Sequence, residues 1–338
     1  CVQGTEDTCA NRLADEQTTG LNSIMHETEE NVTSEPRAQM KPSEVVYGSD
    51  DKLFGWIEHN HAATGTSFGR FLDAGTGKHS ISWIASLLLP PSERKHGTGV
   101  NLNLSIEDYT AITADETMRK GVLKEVQALG IEGKGSIVVG NWNVENFGNN
   151  KTNDDIELCH GEMYDTILAD YLVGAMDGFS PYYQDQIFPR LSKHLKPGGR
   201  IYVVGLDPIP YHAEGEDADV YCKVSRLRDA CLLLAGRRCY REYPKDWIER
   251  HLEKAGLKVE SSEMYPIKYS HAKIMRQLNF ARGLLSEFPS DDLAHEMNEV
   301  MFELEVESWK VTSKSPDKRL ELGFDYVVSA VKPLEDEQ

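Results

Sequence analysis

The stretch Gly69-Arg70-Phe71-Leu72-Asp73-Ala74-Gly75-Thr76-Gly77-Lys78-His79-Ser80 concentrates residue types suited to holding a ligand. Phe71-Leu72 predicts a short buried strand, and apolar residues at 81, 84, 85 and 88 predict a helix behind it. Glycines at such a turn let backbone pass close to a ligand, and the helix start offers N–H groups without intrahelical partners. A phosphate-binding loop of the form G-x-x-x-x-G-K-[ST] does not fit, because Leu72 stands at its first glycine and His79 follows Lys78. A dinucleotide fingerprint would need its third glycine at Ser80, which weakens that reading without removing it. An ordinary strand–helix turn is the plain alternative.

Other residues with chemical potential are scattered along the chain. Asn141-Trp142 follows an apolar run at Ser136–Val139, and Asp170-Tyr171 ends one at Tyr164–Asp170. His160, His194, His212 and His271 are available as proton acceptors, His194 on a solvated helix turn and His212 and His271 in segments expected to lie near a substrate, with no spacing that singles one out. Lys223 to Arg241 is locally basic, with Arg237, Arg238 and Arg241 flanking Tyr240. A solvated helix face with local ion pairs is the competing reading of those arginines. Val224, Leu227, Cys231 and Leu234 share a helical face, so Cys231 reads as a buried thiol. His59 and His61 read as a solvated helix end, and no cluster suggests a metal site.

Strands and helices alternate around these positions. Thr98–Leu102 reads as a second strand, Tyr109–Leu129 as a helix closed by Gly130, and Ser136–Val139 as a third strand. A fourth strand at Tyr164–Asp170 is followed by a helix over Tyr182–Leu195, then a fifth strand at Arg200–Gly205. Beyond an insertion at about 206–244 come a helix at Pro244–Ala255 and a strand within Leu257–Tyr269. Helices at about 271–286 and 291–309 precede a last strand at Gly323–Val331. Short apolar strands alternating with helices argue for a parallel sheet covered on both faces, with ligands at the carboxyl ends of the strands.

Composition narrows the classes. The 338 residues carry a formal net charge of −19, which argues against nucleic-acid or anionic-membrane partners. Residues 1–44 read as a disordered acidic tail, and 45–338 as the folded domain. Six cysteines without a C-x-x-C pair suit a reduced, cytoplasmic protein better than a disulfide scaffold.

Asp73-Ala74-Gly75-Thr76-Gly77 resembles the glycine motif of class I S-adenosylmethionine-dependent methyltransferases, with His79 in place of that motif's third glycine. The run Tyr164–Asp170 and the Leu195-Lys196-Pro197-Gly198-Gly199 turn before Arg200–Val204 resemble the same family's fourth and fifth strands. The resemblance covers about 60–331 and implies an α/β fold. Its sheet would be seven-stranded, mostly parallel and doubly wound, with an antiparallel last strand and helical insertions at about 206–244 and 270–318. It further implies S-adenosylmethionine as cofactor. Asp73 would bind the cationic amino group, and Gly75 and Gly77 would approach the amino-acid and ribose portion. Asn101 would take the place of the usual ribose-binding acid, with Glu107 or Asp108 to compensate. Asn141 would read the adenine edge while Trp142 stacks on the base. Asp170 and Tyr171 would lie nearest the methyl group, Tyr171 by cation–π attraction.

The expected function is methyl transfer to an O or N atom of a small, anionic or zwitterionic metabolite, gripped by Arg237, Arg238, Arg241 and Tyr240, with His212 as a candidate base. Protein or peptide methylation, a non-catalytic cofactor-binding protein and an NAD-type oxidoreductase are the alternatives. The helices of His271–Trp309 would wall the acceptor site or form a homodimer contact.

Overall fold

A computed structural model of the chain describes residues 52–89, 104–142 and 158–334. The expected tail at 1–44, the expected strand at Thr98–Leu102 and Asn101 within it lie outside those residues. The first elements are a helix α1 (Lys52–Ala62), the strand β1 (Gly69–Asp73) and the helix α2 (Lys78–Leu88), the last two as the apolar spacing predicted. Phe54 of α1 stacks on Trp83 of α2 with ring centroids 4.5 Å apart, and Phe68 and Phe71 meet Trp83 edge-on. His61 departs from its expected place on a solvated end. It is buried between the Tyr202 hydroxyl and the Ser67 carbonyl, each 3.0 Å from a ring nitrogen, and burial lowers its pKa to about 4.

The strand beside β1 is β2 (Ile106–Thr113), paired in parallel with Phe71 opposite Tyr109 and Asp73 opposite Ala111. The helix expected from Tyr109 therefore begins only at Glu116 (α3, Glu116–Leu129). Tyr109 to Thr113 are all buried, and a short continuous buried run has no periodicity to separate strand from helix. The true start signal is Asp115, whose Oδ1 accepts the Met118 N–H at 2.8 Å. Gly130 closes α3 in the left-handed region at φ 68°, as expected.

β3 (Gly135–Val139) and β4 (Tyr164–Asp170) follow. Tyr182–Leu195, expected as one helix, contains a short 3₁₀ turn at Gln184–Gln186 and then α5 (Ile187–Lys193), preceded by α4 (Leu172–Phe179). Pro189 falls in the first turn of α5, where its missing N–H costs nothing; further along it would break the ladder. β5 runs Leu195–Leu206. Against β4, Leu195 pairs Tyr164 and Arg200 pairs Thr166, so Lys196–Gly199 bulges from that edge. A Cβ on Gly199 would lie 2.9 Å from two carbonyl oxygens.

The remaining elements are α6 (Glu216–Leu234), α7 (Lys245–Lys254), β6 (Lys258–Ser270), α8 (His271–Gly283), α9 (Asp291–Lys314) and β7 (Arg319–Val331). The sheet order is β3-β2-β1-β4-β5-β7-β6. Gly198 donates to Lys332 while Asp207 donates to Phe324, so β7 runs antiparallel to β5. This is the seven-stranded, mostly parallel sheet with an antiparallel last strand that the resemblance implied.

The described residues form two compact units. One comprises 52–205, 243–263 and 326–334, and the other 206–242 and 264–325. In the second unit α6, α8 and α9 share a core of Val220, Val224, Cys231, Ile274, Leu278 and Met301. Cys231 is buried there, as its helical face predicted. Among the described residues no helix is long and apolar enough to cross a membrane.

The register of β2 has a direct test. A Cβ on Gly135 would sit 2.3 Å from the Tyr109 carbonyl oxygen, backbone that cannot step aside. Gly135→Ala is expected to destabilise the protein by about 1–3 kcal/mol in urea unfolding. An unchanged midpoint would mean that Tyr109 does not run beside Gly135.

Candidate functional site

β1 lies between β2 and β4, where the order of the parallel strands reverses, and ligands of such sheets bind at the carboxyl ends at that point. The turn leaving β1 is tied to both neighbours. Ala74 N–H donates to the Leu168 carbonyl of β4 at 2.8 Å, and Thr76 N–H to the Ile112 carbonyl of β2 at 2.7 Å. The Trp142 indole N–H closes on the Ala74 carbonyl at 2.6 Å. Gly75 sits inside this frame, and a Cβ there would meet Leu172 Cδ1 at 2.8 Å. Gly77 caps α2 in extended conformation, and its N–H donates to the Ser80 hydroxyl at 3.1 Å. Ser80, the residue that weakens the dinucleotide pattern, thus caps the helix.

Buried polar atoms gather at these strand ends without partners. Neither carboxylate oxygen of Asp73 has a hydrogen bond of good geometry, nor does Thr113 Oγ1 at the end of β2, nor Asp115 Oδ2 two residues on. Asp73 is fully buried. Burial pushes its carboxyl up to about 6, against the opposing pull of Ser80, Thr76 and the Gly75 N–H. Each orphaned polar atom costs about 1–3 kcal/mol, so a cluster of four atoms on three residues points to a ligand that completes them. A cationic amino group matches Asp73, and hydroxyls match Thr113 and Asp115. A pyrophosphate set against Asp73 would meet repulsion instead. Asp115 was missed by sequence reading because the end of β2 was placed twelve residues earlier, at Asn101.

The other expected residues differ in fate. Asn141, at the end of β3, donates to the Ser180 hydroxyl at 2.8 Å. Trp142, expected to stack on a base, is buried and spends its N–H on the glycine turn, so it positions that turn. Asp170 ends β4. Tyr171 follows at φ 47° and ψ 19°, a left-handed conformation costly for a side chain of that size, with its N–H held by the Val204 carbonyl at 3.0 Å. Such strain persists where surrounding structure imposes it, as at binding sites. His194, expected on a solvated turn, is buried with Nδ1 3.2 Å from the Glu162 carbonyl.

The unit of 206–242 and 264–325 holds a cavity of about 240 Å³. Tyr221, Ser225, Arg228 and Asp229 line it from one face of α6, and Tyr240, Arg241 and Glu242 from the segment that follows. Tyr269, Gln277 and Asp325 contribute from β6, α8 and β7. Of the expected arginine cluster only Arg241 lines this cavity, with Tyr240. Arg237 is instead locked in a two-pronged pair with Glu287, its side chain 8% exposed. Arg238 is exposed away from the lining. His212, the expected base, is 68% exposed, pairs with Asp219 at 3.4 Å and is not a lining residue. Arg228 was missed because the helical reading followed the apolar face of α6, and the spacing Tyr221, Ser225, Arg228 marks the adjacent one; Glu242 lies beyond that helix, where no periodicity marks it. Among the described residues no group of His, Cys, Asp and Glu is arranged to hold a metal.

No family model matches the chain, and no curated protein does. Among solved structures it is similar to a SAM-dependent methyltransferase from Methanosarcina mazei, at 12% identity over 82% of this chain and 98% of that one, with a TM-score of 0.44. It is similar to the [4+2]-cyclase SpnF at 14% identity over 96% of this chain and 94% of that one, TM-score 0.44. A third is Haemonchus contortus phosphoethanolamine N-methyltransferase 2 in complex with S-adenosyl-L-methionine, at 14% identity over 84% of this chain and 53% of that one, TM-score 0.39. At these levels the likeness concerns the arrangement of elements, and one arrangement hosts more than one chemistry.

The Asp73 carboxyl carries a stability signature. Below pH 3.8 it is protonated folded or unfolded, and as pH rises through about 6 the buried site must take up charge and stability is lost. In the absence of ligand, Asp73→Asn is expected to leave the melting temperature unchanged below that window and to raise it above. A variant less stable than the parent at neutral pH would show that the carboxylate already has a partner.

Proposed function

We propose that the chain is an S-adenosylmethionine-dependent methyltransferase acting on an O or N atom of a small molecule. The observation that carries this reading is the set of unsatisfied buried oxygens of Asp73, Thr113 and Asp115 around the glycine turn. Asp73 holds the cationic amino group of the cofactor, which restores its charge. Asp115 and Thr113 accept the ribose hydroxyls, so the role expected of Asn101 passes to an acid. Gly75 keeps the turn open to close approach.

When bound, S-adenosylmethionine supplies a methyl group on a sulfonium that leaves as a neutral thioether. Much of the catalysis then falls to positioning and to the exclusion of water. Asp170 and the strained Tyr171, at the end of the strand next to β1, orient the reacting end.

Calorimetry with S-adenosylhomocysteine and NAD in parallel tests the cofactor. Binding of the first alone is expected. Asp73→Ala and Asp115→Ala should each weaken it about tenfold or more, since a hydrogen bond involving a charged group contributes roughly 1.5–3 kcal/mol. Asn101→Leu should leave it within about twofold. NAD binding, or unchanged affinity in both aspartate variants, would overturn the assignment.

A further inference from the structure

We propose that the cavity lined by α6, β6, α8 and the end of β7 binds a small zwitterion bearing a free amine, with Glu242 taking the proton of that amine and Arg241 gripping its carboxylate. The proposal rests on the methyl-transfer reading for the fate of the amine, while the binding itself stands apart from it.

The charges in the cavity are unequally committed. Arg228 donates to Asp229 Oδ1 at 3.0 and 3.3 Å and to Gln277 Oε1 at 3.1 Å, so its fork is filled and Asp229 is taken with it. Arg241 reaches Asp229 Oδ2 only at 3.8 Å and stays 62% exposed, which leaves its guanidinium able to meet a carboxylate. Glu242 is different again. Among the described residues it is influenced by burial and by charges at a distance, with no hydrogen bond to its carboxyl. The charges facing it are Arg228 and Asp229 from α6, Lys273 from α8 and Asp325 from β7, with Arg241 beside it in the chain.

Burial pushes the Glu242 carboxyl up to about 7, with Arg228 pulling it down and Asp325 pushing it up. The surface it retains is cavity wall, so it exchanges protons with whatever enters. An anion without an amine would leave Glu242 opposed to it, and an ammonium satisfies it. Tyr221 and Tyr269 stack with centroids 3.6 Å apart on the same wall, and burial keeps both phenols neutral, so their rings offer a cation an apolar, electron-rich surface.

The test uses the full chain without cofactor. Saturation-transfer NMR is run with the common amino acids, their decarboxylated amines and their N-acetyl forms, followed by calorimetry on those that bind. At least one free amine is expected to bind. N-acetylation and Glu242→Gln should each weaken it about tenfold or more. Arg241→Gln should weaken the amino acid and spare its decarboxylated amine. Binding to the parent should fall as pH drops through about 7, and this fall should vanish in Glu242→Gln. Should that variant not fold, the contrast between amine and N-acetyl forms in the parent decides. If no free amine binds, or N-acetyl forms bind as well, the proposal is overturned. S-adenosylhomocysteine is titrated separately: its binding without any amine sinks this inference alone, and amine binding without it sinks the methyl-transfer reading alone.

Discussion

Everything at the sheet's carboxyl edge depends on how the turn after β1 is held. Three hydrogen bonds pull Ala74 and Thr76 onto β4, onto β2 and onto the Trp142 indole, so the backbone there has its partners before any ligand arrives. A turn fixed this way cannot fold over to satisfy Asp73. The carboxylate stays buried, without good hydrogen bonds, and perturbed. Rigid backbone and unsatisfied side chain are two sides of one arrangement, since a softer turn would relax and quench the acid with its own N–H groups.

The same logic extends to β2. Parallel pairing with β1 brings Thr113 level with the turn, and the cap of α3 uses only one of the two Asp115 oxygens. The remaining oxygen is held ready by a hydrogen bond that has nothing to do with ligand. A helix cap thus fixes the direction of the second carboxylate oxygen at no added strain. Tyr171 shows the costlier device, a left-handed backbone imposed by the bond from its N–H to β5.

Asp73 and Glu242 are both carboxyls raised by burial, in separate units, and they differ in what surrounds them. Asp73 has neutral donors that oppose the shift. Glu242 has full charges of both signs, Arg228 and Asp325, that act on it in opposite directions. The first environment suits a fixed counter-charge and the second a proton that comes and goes.

The alternation of strand and helix was readable because short apolar strands and 3.6-residue spacing are local signals, and the glycine turn was readable because an acid and two glycines in that spacing have few other uses. β4 and the start of α2 follow the sequence reading closely for this reason. Tyr109–Thr113 was misread because burial on both faces erases periodicity, and only the hydrogen-bond ladder to β1 makes it a strand. The arginines were misread for a related reason: adjacency in sequence put Arg237, Arg238 and Arg241 in one cluster, while packing sent Arg237 to Glu287 and left Arg241 at the cavity beside the unexpected Arg228. By itself, the sequence determined the class of fold, the turn and the acid that begins the site. The tertiary structure alone decided which acid follows β2 and which charges meet in the cavity, because strand register and side-chain pairing depend on contacts between residues distant in the chain.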